Sequence, residues 1–167
     1  MLQGKKVAGV LNEMIRKHGM ECARALHEAI LIPTLLYGSE TLYLNGRAKE
    51  RVNAVAMSNL RCAAGVSRID RVRNEDVEYA CGIEKGTIRR MNEKQLSWYG
   101  HVCRMNEVRM VKKIYVSECG GRRPRGRPRN NWMTGVKECL ASRGKDVTWA
   151  NAETRDRDRW RRFVKGE

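Results

Sequence analysis

The sequence predicts an all-α fold, a small bundle of about six or seven helices interrupted by a basic Pro/Gly/Arg linker. Three observations predict it. Apolar residues recur at helical spacing along most of the 167 residues, and no strand-like alternation is convincing. Glycines and asparagines stand where those stripes begin and end. One stretch, residues 117–130, almost lacks apolar side chains and holds Gly120, Gly121, Pro124, Gly126 and Pro128.

The opening helix covers the first twenty residues, with Val7, Val10, Leu11, Met14 and Ile15 on one face and Gly19 at its end. A second runs from Glu21 to about Ile32 on Ala25, Leu26, Ala29 and Ile30, and Pro33 must end or kink it. Ser39 to Leu44 reads as an extended link, and Asn45-Gly46 as a turn. The third helix spans about Ala48 to Ala64, with Val52, Val55, Ala56, Leu60 and Ala63 in register and Gly65 as its stop. Asn74 reads as the N-cap of a short helix that carries Glu75 and Asp76 at its positive end and stops at Gly82. Thr87 caps the next, with Ile88, Met91, Gln95, Tyr99 and Val102 on one face. Asn106 restarts a helix on Val108, Val111 and Tyr115. Beyond the linker, a final pair covers Asn131 to Arg143 and Thr148 to about Val164. The expected organisation is therefore a helical domain over 1–116, a basic linker over 117–130 and a helical pair over 131–167.

Composition narrows the function classes. Lys plus Arg is 34 against 19 Asp plus Glu, a net charge of +15 that favours polyanionic partners. No apolar run approaches the ~18 residues that a membrane span needs, and the amino end lacks the apolar core of a secretory signal. The expectation is a nuclear or cytoplasmic chain, not secreted and with no membrane partner. The six cysteines, Cys22, Cys62, Cys81, Cys103, Cys119 and Cys139, form no Cys-x-x-Cys pair, so reduced structural thiols are expected rather than a disulfide scaffold or a zinc site.

Charge concentrates around the linker. Between Arg104 and Arg129 stand nine basic residues and two acids, Glu107 and Glu118, a local net of +7. Arg122-Arg-Pro-Arg-Gly-Arg-Pro-Arg129 places five arginines in eight residues. Proline holds such a backbone toward polyproline geometry, and guanidinium forks suit phosphate oxygens. Arg122, Arg123, Arg125, Arg127 and Arg129 are the expected nucleic-acid contacts, with Lys112 and Lys113 as helpers. The core Pro124-Arg-Gly-Arg-Pro128 also resembles the AT-hook, which lays Arg-Gly-Arg along the narrow minor groove of A·T-rich duplex. In a second cluster, Arg155 to Arg162, the spacing lets Asp156 pair with Arg159 and Asp158 with Arg162, while Trp160, Phe163 and Val164 read as packing residues.

A series of strings then falls in order: Tyr37-Gly-Ser-Glu-Thr41, Leu60-Arg61, Trp98-Tyr-Gly-His-Val-Cys-Arg-Met105, Gly126-Arg-Pro-Arg129 with Trp132, and Asp158-Arg-Trp160. This series resembles the carboxy-terminal part of endonuclease–reverse transcriptase polyproteins of non-LTR (LINE-type, RTE-like) retrotransposons, over nearly the whole chain. The resemblance implies a thumb-like helical domain over 1–116 and the segment that follows it, a region that holds template–primer duplex while a separate palm adds nucleotides. Leu42 stands where the family usually has an aromatic. Tyr37, Trp98, Tyr99, Trp132 and Trp160 are then architectural, and so is His101 as a packing or hydrogen-bonding residue.

No catalytic set is legible. The chain has no Tyr-x-Asp-Asp string and no adjacent aspartates, so two-metal polymerase chemistry lacks its ligands. His18, His27 and His101 have no Gly-x-Ser-x-Gly nucleophile turn to serve, and there is no Gly-x-x-x-x-Gly-Lys phosphate loop. The expectation is a non-catalytic nucleic-acid-binding fragment of a reverse transcriptase with no catalytic residue, cofactor or metal, whose partners are RNA, DNA or hybrid duplex and a palm-bearing polypeptide in trans. A minor-groove DNA-binding protein and an inert remnant of a decaying element are the alternatives.

Overall fold

The computed structural model describes residues 2–117, 125–126 and 130–167. Every regular element among them is a helix: α1 (Leu2–Leu26), α2 (Ile32–Leu35), α3 (Gly46–Ala63), α4 (Asn74–Ala80), α5 (Thr87–Arg104), α6 (Met110–Val116), α7 (Trp132–Ala141), α8 (Val147–Glu153) and α9 (Arg157–Lys165). A π-helical turn at His27–Leu31 and a 3-10 turn at Ser39–Thr41 join them. The predicted all-α class holds. No helix among the described residues is long and apolar enough to cross a membrane. The chain divides into two compact units, Met1–Gly38 with Leu44–Met91, and Ser39–Tyr43 with Asn92–Glu167.

Unit 1 is built on α1 and α3. Helical hydrogen bonding runs from Leu2 to Leu26, but Gly19 stands at φ 81°, ψ −179°, so α1 is two helices meeting at a kink. The sequence places its first boundary at that residue, because a left-handed φ is open to glycine at no steric cost. Ala8, Leu11, Ile15, Ala23 and Leu31 form one apolar cluster. The end or kink expected at Pro33 takes the form of a widened turn. The Ile32 N–H bonds to His27 O, five residues back, and Thr34 Oγ1 donates to Ile30 O at 2.7 Å. A proline ring in a regular helix would strike the carbonyl four residues back, and the wider π turn relieves that clash.

Asn45, read as part of a turn, also caps α3 by accepting from Ala48 N at 2.9 Å. Asn74 is not the N-cap of α4. That position falls to Arg73, because the Asn74 carboxamide accepts from Arg61 Nη2 at 2.9 Å. Gly82 closes α4 at φ 66°, with Ile83 N bonded back to Glu78 O at 2.8 Å. The first turn of α5 returns to this unit, where Arg90 grips Glu28 through two hydrogen bonds of 2.6 Å.

Unit 2 is organised by rings. Leu96, Tyr99, Val136, Cys139, Leu140, Ala150, Trp160 and Val164 form its core, with Tyr115, Trp132, Trp149 and Phe163 packed around it. Trp160 is 2% exposed and donates Nε1–H to Leu96 O at 3.0 Å. A Cβ at Gly100 would fall inside the Trp160 indole, which explains a glycine in the middle of α5. Trp160, Phe163 and Val164 pack inward as expected.

Several expectations change here. The single helix expected from Thr148 to Val164 is two, because Asp156 leaves helical geometry and caps α9 by accepting from Asp158 N and Arg159 N. Its carboxylate also sits 3.5 Å from Arg159 Nε, the pairing that the spacing suggests. Asn106 forms a local turn, accepting from Val108 N at 3.0 Å, and α6 begins only at Met110. Val108 and Val111 are exposed there, and Tyr115 alone of the expected stripe packs inward. The link over Ser39 to Leu44 is not extended but opens with the 3-10 turn. Tyr37, read as architectural, is 89% exposed.

Candidate nucleic-acid interface

In the sequence the Arg-rich run lies between α6 and α7 of unit 2, and both of its described flanks are fixed to the same aromatic core. On the leading side, the Lys112 ammonium donates to Cys103 O at 2.8 Å, near the carbonyl end of α5 where a cation is favoured. It also lies 5.5 Å from the centre of the Tyr115 ring. Lys112 is thus half-buried with part of its donor capacity committed, whereas the neighbouring Lys113 is exposed. Burial pushes the Tyr99 and Tyr115 phenols upward, so both rings stay neutral.

On the trailing side, Asn130 Nδ2 donates to Tyr43 Oη at 3.1 Å, and Tyr43 Oη donates to Glu138 Oε1 at 3.1 Å. Asn131 and Thr134 form a reciprocal capping box at the start of α7. Trp132 donates Nε1–H to Glu40 O at 2.8 Å. The flanks meet directly. The Tyr115 and Trp132 rings stand edge to face with centroids 6.3 Å apart, and Tyr99 touches both at 6.4 and 6.2 Å. Glu40 comes from the Tyr37-Gly-Ser-Glu-Thr41 string, Tyr99 from the third, Trp98–Met105 string, and Trp132 and Trp160 from the last two, so residues of four of those strings meet in one unit.

Of the expected phosphate contacts, Arg125 is exposed, as is Lys113. Arg122, Arg123, Arg127 and Arg129 lie outside the described residues, as does Cys119. The five described cysteines are free thiols. Among the described residues, no group of three His, Cys, Asp or Glu side chains is arranged to hold a metal ion. The histidines are dispersed. His101 is exposed beside Trp98, ring centroids 5.3 Å apart. His27 is buried with Nδ1 2.9 Å from Asn59 Oδ1, and burial lowers its pKa below the ordinary value.

A second basic locus escapes sequence reasoning. Lys5, Arg51 and Arg68 line an open cleft of about 660 Å³ in unit 1, floored by α1 and α3. These residues are far apart along the chain and converge only when the two helices pack. The one sequence signal is the spacing Arg68-x-x-Arg71-x-Arg73 in a short interhelical loop, where three arginines stand in six residues beside Asp70. Comparison with protein-family models, with curated proteins and with solved structures finds no match to this chain.

Proposed function

We propose that the protein is a non-catalytic nucleic-acid-binding chain corresponding to the thumb and following segment of a non-LTR retrotransposon reverse transcriptase, and that it grips template–primer duplex through the Arg122–Arg129 run. The observation that carries this reading is the ordered series of family strings around a +7 segment in a chain that has no palm motif. The flanking geometry supports it physically. A segment whose two ends are held against one packed core loses less freedom on binding than a free tail, so more of each phosphate contact survives as affinity. Lys113 and Arg125, both exposed, have their charge available to solvent-borne polyanions. The catalytic palm is supplied by another polypeptide.

The test is binding of the purified chain to labelled RNA–DNA hybrid, A·T-rich DNA and G·C-rich DNA of equal length across a salt series. The expected result is tightest binding to the hybrid, a preference that persists as salt rises. Replacing Arg125 and Arg127 by alanine should lower the log–log salt slope by roughly two, about one per lost phosphate contact. Failure to bind any duplex at low salt would overturn the reading. Preference for A·T-rich DNA, abolished by the same two substitutions, would instead establish the minor-groove alternative suggested by Pro124-Arg-Gly-Arg-Pro128.

A further inference from the structure

The cleft of about 660 Å³ in unit 1 does not end on itself. A second open cleft of about 480 Å³ adjoins it, and the two share Ala54, Ser58 and Arg68 as lining residues. Together they form a trough along α3. Small residues make up part of its floor, Ala8 and Gly9 from α1 and Ala54 and Ser58 from α3, beside Asn12 and Val55. Cations recur along its length: Lys5 and Arg51 beside the first cleft, Arg68 at the junction, Arg61 and Arg71 beside the second. One carboxylate, Glu50, faces the second cleft.

Two features show that the walls are organised rather than merely charged. Arg61 is pinned by Nη2, which donates to Val72 O at 2.7 Å and Asn74 Oδ1 at 2.9 Å. Its Nη1 is buried and has no hydrogen-bond partner among the described residues. A guanidinium donor without an acceptor is costly, and the second cleft that Arg61 lines admits an anionic oxygen to the same guanidinium group. The loop that carries Arg68 and Arg71 is latched on itself. Asp70 accepts from Ser67 N at 2.6 Å and from Ser67 Oγ at 2.8 Å, and Ile69 N donates to Ser67 Oγ at 3.2 Å. Those hydrogen bonds hold the Asp70 carboxyl below the usual range, so its charge is spent on the loop's own groups. Beside it Arg71 sits at φ 53°, the one non-glycine residue among those described with a left-handed backbone. Such a conformation costs free energy and persists only where the surroundings impose it.

We infer that this trough is a second nucleic-acid contact, which takes the sugar–phosphate backbone of one strand along the Lys5, Arg51, Arg68, Arg71 track with a phosphate oxygen at Arg61. Its ligand class rests on the nucleic-acid function proposed above. A linear polyanion fits better than a single small anion because the cations repeat along an open trough instead of converging on one point. The small-residue floor leaves room for the ribose and phosphate to lie close to the helices. Guanidinium groups along the walls supply the fork geometry that phosphate oxygens accept. The contact is independent of sequence, since the named lining groups reach backbone rather than base edges.

The experiment uses the full chain with the labelled RNA–DNA hybrid and a single-stranded oligonucleotide as probes. Four variants are compared: Arg51→Glu with Arg68→Glu, Gly9→Phe, alanine at all five linker arginines, and Arg161→Glu as a charge control on α9. Arg51, Arg68, Gly9 and Arg161 are exposed, and a Cβ at Gly9 meets nothing within 4 Å, so far-ultraviolet circular dichroism should be unchanged in each of these three variants. The trough pair should lose about tenfold in affinity beyond the Arg161 control, with a salt slope reduced by roughly two. Gly9→Phe should weaken binding without altering charge, because its ring occupies the floor. Trough variants that bind as tightly as the wild type, while the linker variant loses binding, would overturn the trough and leave the proposed function standing. Wild-type chain that binds neither probe would overturn both. Full displacement of the probe by millimolar inorganic phosphate at constant ionic strength would also overturn the backbone assignment, by showing a small-anion site.

Discussion

The two units solve the same packing problem with different materials. Unit 1 has three aliphatic clusters, around Leu11 and Leu31, around Leu36 and Ala56, and around Leu60 and Val77, among the described residues. Its helices are held in register by a buried polar chain in which Asn59 joins His27 on one side and accepts the role of donor to Asn12 Oδ1 at 2.9 Å on the other. Unit 2 has one cluster among its described residues, and rings dominate it. Each buried polar ring atom in that cluster is matched: Trp160 Nε1 with Leu96 O, Trp132 Nε1 with Glu40 O, and the Tyr99 hydroxyl with Asn151 Oδ1. The difference teaches where each unit is vulnerable. Many small apolar contacts spread a loss over several helices, whereas a ring cluster concentrates it in a few side chains and in the glycines that let rings approach backbone.

The largest effect should come from Trp160→Ala. It removes the most central ring and its hydrogen bond to Leu96 O, and a buried Trp-to-Ala change costs about 3–5 kcal/mol. Urea unfolding should show that loss together with collapse of the near-ultraviolet dichroism from the Tyr99, Trp132 and Trp149 neighbours. Leu31→Ala in unit 1, also fully buried, should cost about 2–5 kcal/mol while leaving the aromatic signal of unit 2 intact. Equal damage to the aromatic signal by both substitutions would erase the distinction between the units.

Glycine substitutions sharpen the contrast. Gly100→Ala drives a methyl into Trp160, and Gly135→Ala meets Gln95 Nε2 at 2.6 Å and Tyr43 Cδ2 at 3.2 Å. Overpacking of that kind costs about 1–3 kcal/mol. Gly9→Ala in α1 meets nothing and should stabilise by roughly 0.5–1 kcal/mol, the helix-propensity difference between the two residues. Thermal melting of the three variants reads both signs. A stabilised Gly100→Ala would mean that the Trp160 indole is not seated against α5.

In unit 1 the corresponding weak point is polar. Asn59→Ala leaves His27 Nδ1 and Asn12 without their partner, at about 1–3 kcal/mol for each buried group stranded. The same network makes stability depend on pH. Burial holds the folded His27 pKa below its ordinary 6.5. The unfolded chain therefore binds a proton at higher pH than the folded one. The stabilisation is fully present above pH 6.5, is lost as pH falls below it, and levels off once the folded imidazole also titrates. Unfolding measured between pH 5 and 8 should show that slope in the wild type and a shallower one in His27→Gln.

Much of the fold was legible because most boundaries are local chemistry. Gly19, Gly65 and Gly82 mark breaks or stops by their left-handed φ, and Asn131 marks a start by its side-chain acceptor. What was not legible depends on competition at a distance. Asn74 is drawn from its cap by Arg61, thirteen residues earlier. Asp156 interrupts an apparently continuous amphipathic stretch because its carboxylate serves two amides at once. Tyr37 begins the Tyr37-Gly-Ser-Glu-Thr41 string yet faces solvent. The candidate interface divides in the same way. An arginine run is visible as composition, whereas the ring contact of Tyr115 with Trp132 and the convergence of Lys5, Arg51 and Arg68 exist only after helices pack.

The smallest effect compares two asparagine caps, one in each unit. Asn45 accepts from Ala48 N at 2.9 Å, and Asn131 accepts from Thr134 N at 3.0 Å while Thr134 Oγ1 accepts in return from Asn131 N at 3.3 Å. Replacing either by alanine should cost about 1 kcal/mol and by glycine only a few tenths. The reciprocal box at Asn131 satisfies one more backbone donor, so Asn131→Ala should cost a few tenths more than Asn45→Ala. Asn131 also stands where the Arg-rich run meets α7. If that anchor limits the freedom of the run, Asn131→Ala should weaken nucleic-acid binding slightly, while Asn45→Ala leaves it unchanged. Parallel unfolding and binding titrations on the two variants separate the roles, and identical behaviour in both assays would make Asn131 a helix cap and nothing more.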